Sequence, residues 1–95
     1  MKIPHTIEKR VEAGVAFLNV VKPNWLKKID VEKLDLIDKK VCMLGELYGN
    51  YDDGLSQLGL KNGTSATNLG FYGSERGYKV LTEVWKRKII ELRGE

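Results

Sequence analysis

Few side chains in this chain could do chemistry: one histidine, His5, one cysteine, Cys42, a scatter of carboxylates, and tyrosines set beside glycines. His5 has no second histidine or cysteine at ligand spacing, so neither a zinc site nor a nucleophilic triad assembles around it. Cys42 stands among apolar neighbours and reads as an inert core thiol; being single, it excludes an internal disulfide and any multi-thiolate metal site. Carboxylate pairs could be drawn from Asp35, Asp38, Glu46, Asp52 and Asp53, but nothing in their spacing selects one pair for acid and base roles. The run Asn50 to Gly54 faintly suggests a calcium loop, yet Tyr51 and Gly49 stand where an EF-hand needs oxygen ligands. Neither phosphate-loop pattern of glycines occurs, and Gly70-Phe71-Tyr72-Gly73, which has the spacing of an RNA-clamping loop, lacks the strands of that module. The expectation is a protein that is not an enzyme and uses no metal and no cofactor.

What remains is chemistry for holding. Tyr48, Tyr51 and Tyr72 lie beside glycines, and Arg76 and Lys79 follow at the start of a helical pattern. Aromatic faces stack on bases, and guanidinium groups and helix N-termini hold phosphates. These five residues are the candidate ligand-binding set, expected to converge on one cleft that takes a small anionic ligand of nucleotide type.

The elements that must position them follow from periodicity. Ninety-five residues make one domain with one modest core, and 42% apolar with 31% charged residues argues for a folded chain. Met1 to His5 reads as a flexible arm, after which Thr6 caps a helix with its stripe at Ile7, Val11, Gly14, Val15, Leu18 and Val21, stopped by Pro23. A short turn follows with Trp25 as a core plug. Asp30 caps another turn, Leu34, Leu36 and Ile37 keep the chain on the core, and Asp38 caps a central helix bearing Val41, Leu44, Leu47 and Tyr48 on one face. Gly49-Asn50 ends it. Asp52 then caps a second short helix that Gly59 closes. Gly14 and Gly45 each weaken a helix, and a close crossing of the two helices at these glycines is the expectation.

Residues 61–70 are polar and small, lack either period, and read as a long loop whose far end is pinned by Leu69, Phe71 and Tyr72. Ser74 starts the last helix, with Tyr78, Leu81, Val84, Trp85, Ile89 and Leu92 on its apolar face and Arg93-Gly94 at its end. The expected fold is therefore all-α: a compact small bundle of four to five helices with a long polar loop before the C-terminal helix. No run approaches eighteen apolar residues, so neither a membrane span nor a signal peptide is read, and the cytoplasm is the expected compartment.

The stretch Cys42 to Leu60, with its pattern Cys-x-Leu-Gly-x-Leu-Tyr-Gly-x-Tyr-x-x-Gly-Leu-x-x-Leu-Gly-Leu, resembles a motif found in small proteins of phages and prophages. The resemblance continues through Pro23, Trp25 and Ile29-Asp30 upstream, and Phe71, Tyr78, Leu81-Thr82 and Trp85 downstream, so that it covers most of the chain. Leu69-Gly70-Phe71 departs from that family, which often has an aromatic residue at the first of these positions. The resemblance implies a phage origin and an accessory role in the host cytoplasm, such as blunting host defence, and it implies no reaction.

Three functions then compete. The first is sequestration of a nucleotide-type ligand by the five residues above. The second is a protein–protein inhibitor that occludes a host defence or regulatory complex through exposed aromatics, drawn from Trp25, Tyr48, Tyr51 and Tyr72. The third is nucleic-acid binding through Lys79, Arg87, Lys88 and Arg93, with Lys22, Lys27 and Lys28. A net charge of +3 and a pI near 9.0 permit an anionic partner without demanding one. A homo-oligomer is compatible with so small a core.

Overall fold

A computed structural model describes residues 6–60, 63–74 and 76–94. The expected arm at Met1 to His5, including His5, lies outside the described residues, as do Lys61 and Asn62 of the expected loop. Six helices stand among the described residues: α1 (Ile7–Val21), α2 (Trp25–Lys28), α3 (Met43–Tyr48), α4 (Tyr51–Leu58), α5 (Gly63–Asn68) and α6 (Tyr78–Arg93). No strand occurs among those residues, and the fold is all-α. Among the described residues no helix is long and apolar enough to cross a membrane.

Local chemistry accounts for most boundaries. Thr6 Oγ1 accepts from Lys9 N at 3.1 Å and starts α1. The backbone of Gly49, at φ +100°, ends α3 in a conformation that side chains resist. Two caps differ from expectation. Asn50, rather than Asp52, caps α4: its Oδ1 accepts from Asp53 N at 2.8 Å while its Nδ2 donates to Asp53 Oδ2 at 2.8 Å, and the pair closes on itself. Asp38 supports only a turn, accepting from Lys40 N at 2.9 Å; α3 begins later, with Cys42 as its cap. The last helix likewise begins at Tyr78, because Ser74 uses its carbonyl and hydroxyl to hold a turn at Gly77 first.

The polar stretch read as a loop is the clearest correction. Residues 63–68 form α5, whose Ala66 is fully buried and whose Thr67 hydroxyl donates to Gly63 O at 2.6 Å. One small buried side chain against α1 anchors this helix, and a single alanine leaves no periodic signature.

The core gathers on α6 and α1. Trp85 is fully buried, its ring stacked on Phe71 with centroids 6.0 Å apart and set edge-on to Trp25 at 6.1 Å. Its indole N–H donates to Gly70 O at 2.6 Å, which satisfies a polar group that burial would otherwise strand. Gly14 is where α1 passes closest: an added methyl there would overlap the Leu69 carbonyl oxygen and lie 2.8 Å from the Trp85 ring. A methyl added at Gly45 would instead lie 2.5 Å from the Lys39 carbonyl oxygen and against the Lys40 backbone. The two glycines serve separate close approaches, so the expected crossing of one on the other is not the arrangement.

Candidate functional site

The structure brings three tyrosines together. Tyr51 opens α4, Tyr72 lies in the segment between α5 and α6, and Tyr78 opens α6. The Tyr51 and Tyr72 rings tilt at 35° with centroids 6.2 Å apart, and Tyr72 meets Tyr78 edge-on at 6.0 Å. Each belongs to a different element, so the cluster exists only in the folded chain. Tyr72 is 44% exposed and carries the outer surface of the group. Burial pushes the Tyr51 phenol up to about 12, with Tyr78, Cys42, Tyr72 and Asp52 adding to the effect. Burial also raises Tyr78, against a hydrogen bond from the Gly73 backbone that pulls it back.

Around this cluster are three depressions. A groove of about 530 Å³ is lined by Arg10, Thr67, Tyr72, Ser74 and Tyr78, with Ile37 at its edge. A second, of about 520 Å³, lies between residues 32–37 and α6 and is lined by Lys33, Lys79 and Lys86 among acidic side chains. A slot of only about 60 Å³ runs between the rings above Cys42. Ile37 and Tyr78 line all three.

Of the five residues singled out from sequence, Tyr51 and Tyr72 meet. Lys79 lines the second groove, across Tyr78 from them. Tyr48 is elsewhere: it sits on α3 with Lys22 Nζ 4.8 Å above its ring and lines none of the three depressions. Arg76 is exposed and also lines none of them. One cleft holding all five does not form.

Three residues at the site escaped the sequence reading. Tyr78 looked like a member of the α6 apolar stripe, and its ring is half-buried there, shared between core and groove. Arg10 was given no part in the site. Ile37 was expected on the core but is 57% exposed. The signal for Ile37 was present in Asp35, whose carboxylate accepts from Ile37 N at 3.2 Å and turns the chain, so that Leu36 goes inward and Ile37 outward.

The carboxylates are occupied with architecture. Asp35 and Asp38 hold turns, Asp53 pairs with Asn50, and Asp52 bonds Lys39 Nζ at 3.2 Å. Glu46 Oε1 accepts from Asp30 N at 2.8 Å, and burial raises its pKa. Among the described residues no group of three or more His, Cys, Asp or Glu could hold a metal ion. Cys42 is buried and its pKa is raised by that burial; its protonated thiol donates to Lys39 O at 3.8 Å while the sulfur accepts from Gly45 N at 3.2 Å. The basic stripe of α6 is interrupted: Arg93 turns to the carbonyls of Leu26 and Ile29, and Lys88 faces Glu91 at 3.6 Å.

Comparison with protein-family models, curated proteins and solved structures returns no match to this chain.

Proposed function

We propose that this protein is a non-enzymatic, phage-type accessory protein of the anti-defence kind, acting in the host cytoplasm by holding a small anionic ligand of nucleotide type in the Arg10–Tyr72 groove. The observation that supports this reading is the meeting of a half-exposed ring, a guanidinium-bearing residue and two hydroxyl residues, Thr67 and Ser74, around one concavity. A volume of about 530 Å³ falls within the range of small-molecule sites, roughly 300–1,000 Å³. Tyr72 offers a face to a base, and Arg10 places a positive charge at the groove where a phosphate would lie.

Calorimetry against a panel of cyclic and linear nucleotides tests the assignment. At least one member of the panel binds, and Tyr72→Ala weakens that binding by about 1–3 kcal/mol, the usual worth of one stacked base. Tyr48→Ala, at a residue that does not line the groove, leaves it unchanged. Silence across the panel from a folded sample retires the nucleotide reading. A stoichiometric host protein retained from lysate, with that silence, would move the assignment to occlusion of a host complex.

A further inference from the structure

We infer that the face carrying Ile37, Tyr72 and Tyr78 is a self-association surface, and that a second copy of this chain covers it and walls the open side of the Arg10 groove. The inference rests on the binding reading of that groove and concerns what completes it.

The exposure of Ile37 is built in. Asp35 N donates to Val41 O at 3.1 Å, Asp38 N donates to Asp35 O at 3.1 Å, and the Asp35 carboxylate accepts from Ile37 N. Leu36 N donates to the buried Thr82 hydroxyl at 2.9 Å, which ties the same turn to α6. With Leu36 only 4% exposed, the turn has already committed its inward position, and Ile37 has nowhere inside to go. A large aliphatic side chain held in water by an ordered turn, at the junction of three depressions, costs hydration free energy, and docking has only the side chain left to order, a combination that suits the centre of an interface.

The charges around it name the occupant. The groove on the α6 side is lined by Lys33, Lys79 and Lys86 and by Glu32, Asp35 and Glu83, three of each sign. In a two-fold interface a patch faces its own image, so a rim of one sign would repel itself while a rim of mixed sign can pair. A strongly acidic or basic foreign partner would call for the opposite single sign, which this rim does not offer. Ile37 lines both large grooves and Tyr72 lines the one beside Arg10, and a second copy docked over them would turn each from a surface concavity into an enclosed site.

The mass of the ligand-free protein in solution, measured by sedimentation equilibrium across a wide concentration range, tests this. The wild-type chain gives a concentration-dependent rise from 10.8 kDa toward twice that value. Ile37→Asp weakens self-association at least about tenfold, as expected of a residue at an interface centre, while Val20→Asp, at an 80% exposed position lining none of these depressions, leaves it unchanged. Ile37→Ser, with helical circular dichroism alongside, separates lost docking from lost folding. A wild-type mass of one chain at every concentration overturns the inference, and so does a dimer that survives Ile37→Asp. Since no nucleotide enters this measurement, a dimer sensitive to Ile37 together with a silent nucleotide panel would leave the surface standing and remove only the ligand.

Discussion

Tyr51 shows how a residue of the site answers to its surroundings. Its phenol titrates near 10.0 in an unfolded chain and near 12 in the folded one, because burial and nearby negative charge disfavour the phenolate. The folded state therefore keeps a proton that the unfolded state gives up. The contribution of Tyr51 to stability is fully present below pH 10 and is lost as pH rises toward 12. Denaturant midpoints measured across that window should fall with pH, and more steeply in wild type than in Tyr51→Phe. An equal slope in both would mean that the Tyr51 hydroxyl is not sheltered by the ring cluster. Tyr51 and Tyr72 were visible in the sequence as tyrosines beside glycines. Their meeting with Tyr78 was not, because it depends on how three separate elements pack, and no local pattern encodes that.

At the level of elements, the end of α6 is held by more than its apolar face. Arg93 Nη2 donates to Leu26 O and to Ile29 O, each at 2.6 Å, so the guanidinium ties the last turn of α6 to the end of α2. Arg93→Ala removes these charge-assisted bonds and leaves part-buried carbonyls to find water, a loss of about 2 kcal/mol. The thermal midpoint should drop on the order of 10 °C. Lys79→Ala, also on α6 but exposed, should change stability by less than about 0.5 kcal/mol. Similar midpoints for the two variants would contradict the tie. The helices themselves were legible wherever a broad apolar stripe met a punctuating residue: α1 between Thr6 and Pro23, and α6 up to Gly94. Caps were less so, since Asp38, Asn50 and Asp52 are all good cap residues and only geometry chooses among them. The helix α5 was hidden because its one buried residue is an alanine, and Arg93 reads in the sequence only as the end of the last helix and as a candidate contact to nucleic acid.

On the scale of the whole molecule, the only cysteine in the sequence is also the cap of the helix on which the central motif is built. Cys42 is 1% exposed, its thiol is engaged at both ends, and the slot above it is roofed by Tyr51, Tyr72 and Tyr78. Alkylating reagents can reach it only when α3 and that roof come apart, so the labelling rate is a clock for opening. Labelling of the native protein should be far slower than that of the denatured chain, and Tyr72→Ala should hasten it without an equal loss of global stability. If the proposed readings hold, a saturating nucleotide, or a second copy seated over Ile37, should slow the clock, so one unmodified thiol would report occupancy of the tyrosine face with no engineered probe.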